Sequence, residues 1–200
     1  MQSDEPWLVA GLGTPGPWFG GTRHNAGFLV VDQLAKRHGA RFRLFRARCR
    51  VAEIEVEGRR VVLAKPQWSI NLSGNPVRTV MRCRGVRAGR LVVVQDDLDF
   101  PFGASRLKRG GGPGGHNGIR SVSEAIGSRD YVRLRFGIGR PPKGQPIGKF
   151  VLQEFSNAEQ AQLPTLLDRC ADAVETLVVL GLNRAQDQLH TAAAHPAASH

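Results

Sequence analysis

A loop histidine and a group of three carboxylates are the side chains of this sequence that are best suited to acid–base chemistry. His24 lies in a polar loop, and Asp96, Asp97 and Asp99 follow an apolar run. An imidazole titrates near neutral pH and can take a proton from water, and a carboxylate that accepts its N–H fixes its orientation. The plainer alternatives are an idle exposed histidine and acids that serve a turn or a hard cation. We predict that His24 acts as a general base held by one of the three acids.

Two asparagines in loop segments offer neutral donors and acceptors. Asn25 directly follows His24, and Asn71 precedes the dipeptide Leu72-Ser73. A side-chain amide both donates and accepts, which suits holding a peptide backbone. Each asparagine is equally expected as a helix N-cap. The sequence contains no G-x-S-x-G motif, so a serine nucleophile of the usual hydrolase kind is disfavoured.

Two glycine-rich segments match the pattern G-x-G-x-x-G. In the first, residues 11–16, Pro15 and Pro17 stand where a phosphate-binding helix would run, so we predict a tight turn and no nucleotide cofactor. The second, residues 110–118, matches because it is almost entirely glycine. It is either a flexible linker or a mobile loop that lets a bulky ligand approach. We favour the loop, because it joins a predicted strand to a predicted helix and runs into His116.

The charge balance favours an acidic partner. The chain has 200 residues with 28 Lys and Arg against 17 Asp and Glu, a net charge of +11. The segments 36–50 and 78–90 are rich in arginine and contain no acid. Phosphate contact explains this pattern, and the alternative is a solvated face in an arginine-rich composition. We predict a nucleic-acid partner.

Several other classes of protein are disfavoured. The three cysteines are widely spaced without a C-x-x-C motif, which argues against a zinc ribbon, a redox centre or a disulfide scaffold. No apolar run approaches the roughly 18 residues of a membrane span. The first residues lack the layout of a signal peptide. We therefore expect a cytoplasmic protein that does not contact the membrane.

Strands and helices alternate along the chain, which predicts one α/β domain over residues 1–190 with a twisted, mixed, largely parallel central sheet flanked by helices. Residues 191–200 are predicted to be a disordered tail. Polar loops follow three of the strands, and sites in such sheets lie beyond the carboxyl ends of the strands. The predicted strands are 7–12, 51–56, 60–64, 91–95, 104–108 and 131–138, and the predicted helices are 26–38, 72–83, 116–126 and 157–190 with a break near Gly181.

Six motifs in order resemble the bacterial-type peptidyl-tRNA hydrolase family over residues 8–190. Singly they are weak, and together they are specific. They are Gly11–Gly16, Thr22–Gly27, Asn71–Gly74, Asp96–Asp99, Gly110–Gly118 and Arg133–Gly139.

The resemblance implies a monomeric enzyme, without a metal or other cofactor, that hydrolyses the ester between a peptide and the 3′-terminal ribose of tRNA. This reaction recycles tRNA from translation products that leave the ribosome early. His24 would activate water and Asp96 would orient it. The implied substrate contacts are Asn71 and Asn117 for the peptide and the 3′ end, Phe19 for the tRNA end in place of a family tyrosine, and Lys108 and Arg135 for the 5′-phosphate with His116 beside them.

Two departures from the family pattern bear on function. Thr14 stands in place of an asparagine that helps to separate blocked peptidyl esters from free aminoacyl-tRNA, so we expect lower discrimination or a lower rate. Ser69 and Ile70 replace a phenylalanine and a methionine of the peptide channel, which would alter side-chain preference. The retained histidine, aspartate and asparagines favour an active enzyme. The alternatives are a catalytically weak paralogue that binds RNA and an esterase for another acylated nucleotide.

Overall fold

The computed structural model of the chain describes residues 5–194, with side chains described as far as His190. Strands and helices alternate as the apolar periodicity predicts. The strands are β1 (Trp7–Gly11), β2 (Arg43–Phe45), β3 (Cys49–Val56), β4 (Arg59–Pro66), β5 (Leu91–Asp97), β6 (Ser105–Arg109) and β7 (Val132–Gly137). The helices are α1 (Ala26–Arg37), α2 (Gly74–Arg84), α3 (Asn117–Ile126), α4 (Ile147–Val151), α5 (Asn157–Leu180) and α6 (Leu182–Ala194).

Within the described residues the strands form one mixed sheet in the order β2-β3-β4-β1-β5-β7-β6. The four central strands, from β4 to β7, run parallel. Both edges are antiparallel, through the β2–β3–β4 meander and the β6–β7 pair. The predicted mixed α/β sheet is therefore confirmed, and its parallel part is its centre.

Helices cover both faces of the sheet. Successive side chains of a strand point to opposite faces, so central strands whose side chains are all buried need a helical layer on each side. Val9 and Val92 pack with α1, α5 and α6 in one core cluster. Their chain neighbours Leu8 and Val93 pack with α2 and α3 in the other. Each fully buried Val or Leu contributes about 1.5–3 kcal/mol, so the two layers supply the main stabilisation.

Two glycines let the first turn of α1 lie directly on the ends of β1 and β5. A Cβ atom on Gly27 would lie 2.4 Å from the carbonyl oxygen of Val94 and 2.5 Å from backbone atoms of Leu12. A Cβ atom on Gly11 would lie 2.3 Å from the carbonyl oxygen of Gly27. This close approach places the start of α1, and the residues just before it, at the carboxyl edge of the sheet.

We expect Gly27→Ala to lower the free energy of unfolding by about 3 kcal/mol, because the added methyl meets backbone that cannot move aside. Urea unfolding at neutral pH measures the change. Gly20→Ala is the matched control, since a Cβ atom there meets no atom within 4 Å. Equal stability of the two variants would show that α1 does not need this approach.

Two short elements were not predicted, and several bounds shift. The unpredicted elements are β2, with three residues, and α4, with five. Helix α2 begins at Gly74 after a 3-10 turn, so Pro76 lies in its first turn, where proline is tolerated. Helix α6 runs to Ala194, beyond the predicted helix end at residue 190. Residues 195–200 of the predicted tail lie outside the described residues, so disorder there stays a prediction.

None of the helices in the described part of the chain has both the length and the apolar character that crossing a bilayer requires.

Candidate active site

His24 and Asp96 meet where two neighbouring parallel strands end. His24 lies in the 3-10 turn Arg23–Asn25 between β1 and α1, and Asp96 is the penultimate residue of β5. Because β1 and β5 are paired, the segments that follow them start at the same edge of the sheet. His24 Nδ1 lies 2.9 Å from Asp96 Oδ1, and Asp96 is only 3% exposed. With Nδ1 facing the carboxylate, the Nε2 atom of His24 is the ring nitrogen left for a substrate or water.

His116 contacts the same carboxylate oxygen. Its Nε2 lies 3.0 Å from Asp96 Oδ1, and its ring lies 5.5 Å from that of His24. His116 is also the N-cap of α3, where its Nδ1 accepts the backbone N–H of Ile119 at 3.3 Å. Since Nδ1 accepts, Nε2 must carry the hydrogen and donate to Asp96. Both ring nitrogens of His116 therefore have hydrogen-bond partners, whereas the partner described for His24 is at Nδ1 and leaves Nε2 for a substrate or water.

Electrostatics keep Asp96 ionised at neutral pH. Burial by itself would raise the pKa of this carboxyl group. Electrostatic interaction and hydrogen bonding with His116, followed by those with His24, outweigh burial and hold the pKa of Asp96 well below its usual range. A permanent carboxylate at this position favours the tautomer of His24 that carries hydrogen on Nδ1.

Asp97 and Asp99, the other two acids of the motif, face arginines. Asp97 Oδ2 accepts the Nε–H of Arg135 at 2.6 Å, and Asp99 pairs with Arg140. Of the three candidates that the sequence left open, Asp96 is the one that contacts His24.

The histidine–aspartate group also has the composition of a metal site. His24 Nδ1, Asp96 Oδ1 and His116 Nε2 lie within 4.8 Å of one another. Hydrogen bonds from both rings to the shared oxygen explain the grouping without an ion. Absence of a metal therefore stays a prediction.

The side chain of Asn25 holds the loop between β1 and α1, and not the helix. Its Oδ1 accepts the N–H of Thr14 at 2.7 Å, and its Nδ2 donates to the Thr14 carbonyl at 2.9 Å. Asn25 occupies the N-cap position of α1 but makes no capping bond with its side chain, so the capping alternative is wrong. The loop contains no helix between residues 12 and 22, in agreement with the predicted turn.

Arg23 ties the histidine loop to the start of α5, a link that was not predicted. Its buried guanidinium donates to Glu159 Oε2 at 2.6 Å and to the carbonyl of Glu154. It also lies over the ring of Phe150, 4.7 Å from its centre. Glu159 completes a capping box with Ser156, and this S-x-x-E pattern indicates in the sequence where α5 begins, although not that Arg23 binds there. Arg23, the residue before His24, is thus held by α4, by the segment after α4 and by the first turn of α5.

A cavity of about 620 Å³ opens beside the histidine–aspartate group. It contains most of the predicted site residues and four cations. The predicted residues in its wall are His24, Asp96, Lys108, His116, Asn117 and Arg135. Unpredicted wall residues are Gln95, Arg140 and the α4 residues Ile147, Gly148 and Val151, and Arg133 adds a buried cation. The α4 residues were missed because a five-residue helix carries little periodic signal.

The remaining predicted residues lie outside the wall of this cavity. Asn71 is exposed in the 3-10 turn Ile70–Leu72, and Ser69 is exposed just before it. Thr14 and Phe19 lie in the loop before His24 and are half-buried. The structure brings these four to loops at the carboxyl edge and not into the cavity itself.

Two exposed tryptophans stand beside positions where the sequence departs from the family pattern. Trp18 is 85% exposed next to Phe19. Trp68 is 43% exposed next to Ser69, with the guanidinium of Arg48 5.7 Å from its ring centre. Trp68 therefore offers an aromatic surface one residue away from the lost phenylalanine.

The site combines a histidine–aspartate pair with a cationic cavity on an α/β sheet, an arrangement suited to hydrolysis of an anionic substrate. The sequence profile of the family described as Peptidyl-tRNA hydrolase matches residues 8–197. This chain belongs to the peptidyl-tRNA hydrolase family.

Individual relatives agree with this assignment over nearly the whole chain. The peptidyl-tRNA hydrolase of Frankia casuarinae is 54% identical over 187 residues, which is 94% of this chain and 95% of that protein. The peptidyl-tRNA hydrolase of Nocardia farcinica is 50% identical over 189 residues, covering 94% and 98%. The crystal structure of peptidyl-tRNA hydrolase from Acinetobacter baumannii superimposes with a TM-score of 0.87 at 32% identity and covers 94% of this chain and 96% of that one.

Proposed function

We propose that this protein hydrolyses the ester that joins a peptide to the 3′-terminal ribose of tRNA and so returns tRNA to translation. The observation that carries the proposal is the 2.9 Å contact of His24 with the ionised Asp96 beside a cavity walled by cations. A net charge of +11 suits a polyanionic substrate.

In the proposed mechanism His24 is the general base. Asp96 accepts the Nδ1–H, so the lone pair on Nε2 takes a proton from water as the water oxygen attacks the ester carbonyl. The amide group of Asn117, in the cavity wall, stabilises the oxyanion, and that of Asn71, in the loop at the carboxyl edge, holds the peptide. As the tetrahedral intermediate collapses, the proton passes from Nε2 to the departing ribose 3′ oxygen. An ester is activated enough that this route needs no covalent enzyme intermediate.

The remaining substrate contacts are proposed on the same basis. Phe19 contacts the end of the tRNA, and Lys108 and Arg135, which lie on the adjacent strands β6 and β7, take the 5′-phosphate. Thr14 and Ser69 line the path of the peptide. We further propose that the protein acts as a monomer in the cytoplasm without a cofactor or contact with the membrane.

The direct test is release of N-acetylated amino acid from N-acetyl-aminoacyl-tRNA by the purified protein. The same tRNA with a free amino group is the comparison substrate. Release from the blocked substrate supports the proposal. Tight binding of tRNA without release would contradict it and would favour a paralogue that only binds RNA.

We expect Thr14→Asn to raise the preference for blocked over unblocked substrate by about 2–10-fold, the value of one added hydrogen bond. The backbone of Thr14 is already held by Asn25, so the new amide would occupy a defined place. The ratio of kcat/KM for the two substrates measures the effect. An unchanged ratio would show that residue 14 does not take part in discrimination.

A further inference from the structure

Four cations form a block on the face of the β6–β7 pair that lines the cavity. In the antiparallel register Arg106 lies opposite Arg135, and Lys108 lies opposite Arg133. Residues two apart on a strand share a face, so all four project to the same side. Like charges directly opposite each other destabilise a sheet. The four cations therefore destabilise the strand pair unless anions offset their charge.

Carboxylates offset this charge unevenly. Arg135 donates to Asp97 at 2.6 Å and lies 3.8 Å from Asp99. Within residues 5–194, no ion pair closer than 4.0 Å involves Lys108 or Arg133. Arg106 has no such pair among these residues either, but of the three only Lys108 and Arg133 line the cavity.

Arg133 is also unusually buried for a cation that has no acid within 4.0 Å among the described residues. It is 5% exposed, its Nη1 donates to the carbonyl of Gly112 at 2.8 Å, and its Nε has no hydrogen-bond partner in the described part of the chain. Burial lowers the pKa of Arg133, because desolvation disfavours the charged form. An arginine stays charged nevertheless, so this arrangement costs stability unless an anion joins it.

The glycine loop, defined here as residues 110–115, lies directly on both cations. A Cβ atom on Gly111 would come within 3.0 Å of Arg133 Nη2 and 3.4 Å of Lys108 Nζ. The loop leads straight into His116 and Asn117 at the start of α3. A ligand that binds Arg133 would therefore affect the position of the glycine loop and of His116 and Asn117, which follow it.

We propose that Arg133, which lies beneath the glycine loop, is a third cation of the phosphate site expected at Lys108 and Arg135 and couples the bound phosphate to the position of Gly112. This inference rests on the proposed function, since the terminal 5′-phosphate of tRNA is the anion concerned. It adds to the expected pair of Lys108 and Arg135 a third and less compensated cation. Arg133 acts as a specificity-determining residue for the phosphorylated substrate.

The test compares deacylated tRNA that carries a 5′-phosphate with the same tRNA after removal of that phosphate. The Kd of each is measured for the wild-type protein, Arg133→Gln, Arg133→Lys and Arg109→Gln. Arg109 is the matched control, because it lies on β6, the strand paired with that of Arg133, points to the other face and pairs with Asp130. Melting temperatures and hydrolysis of both forms of N-acetyl-aminoacyl-tRNA are recorded for each variant.

We expect the wild type to prefer the phosphorylated tRNA and Arg133→Gln to reduce that preference about tenfold, the value of a charged hydrogen bond. Arg109→Gln is expected to keep the preference. Arg133→Lys keeps the charge but lacks the planar fork that reaches Gly112, so it should retain most of the preference in Kd and lose kcat.

Several results would overturn the inference. They are a full preference in Arg133→Gln, an equal loss for both tRNAs together with a lower melting temperature, and a wild type without any preference. The proposed function is tested separately, because binding is measured on deacylated tRNA. A protein that prefers the 5′-phosphate through Arg133 but cleaves no ester would support this site and contradict the hydrolase proposal.

Discussion

Replacement of His24 by alanine is expected to lower kcat on N-acetyl-aminoacyl-tRNA by about 10²–10⁴-fold, the usual contribution of a positioned general base. Alanine has no group that takes the proton of water, although the neighbouring Asp96 stays in place. Binding of deacylated tRNA is expected to be unchanged, because His24 does not make the proposed phosphate contact and its side chain bonds Asp96 alone among the described residues. Single-turnover hydrolysis measures the first effect, and the Kd for tRNA measures the second.

Two further variants decide whether the effect belongs to this histidine. His38→Ala is the control, since His38 bonds Glu175 on the surface away from the cavity. His116→Ala tests the other imidazole on Asp96, whose ring nitrogens are both in use. Full activity of His24→Ala together with an inactive His116→Ala would contradict the assignment of the base.

Replacement of Asp96 by asparagine is expected to cost a similar factor, about 10²–10⁴ in kcat. A neutral amide oxygen still accepts a hydrogen bond, but it stabilises the charged imidazole ring of the transition state far less than a carboxylate does. KM is expected to change little, because Asp96 is 3% exposed and faces the two histidines. Asp130→Asn is the control, since this exposed acid pairs with Arg109. A wild-type rate in Asp96→Asn would show that His24 needs no charged partner.

The same substitution has a defined pH signature in stability. The pKa of Asp96 in the folded protein lies below its ordinary value of 3.8, so the unfolded chain binds the proton more readily. The ionised group therefore contributes stability that is complete above about pH 5 and is lost as the pH falls through 3.8 toward the folded pKa. Urea unfolding should show a stability difference between wild type and Asp96→Asn at pH 7 that shrinks at lower pH. A constant difference would contradict the ionised state.

Regular elements with strong local patterns were predictable from the sequence. The apolar run Leu91–Val94 predicted the first four residues of β5, and the period of Phe28, Val31 and Leu34 predicted α1. Short elements were not predictable, because β2 has three residues and is held by pairing with β3 and not by its own propensity. A parallel centre also follows from alternation of strands and helices, but the antiparallel edges depend on which strands pair.

The sequence by itself determined the motifs, the charge balance and the family to which they point. It presented His24, three acids in Asp96–Asp99 and a glycine loop that ends at His116, but it left open which of them meet. Only the tertiary structure decided that Asp96 contacts both histidines. It also decided that Asn25 binds the backbone of Thr14 and that Arg133 lies buried against Gly112. The physical reason is that secondary structure follows from neighbours a few residues apart. His24 and Asp96 are 72 positions apart in the sequence, and the pairing of strands brings them together.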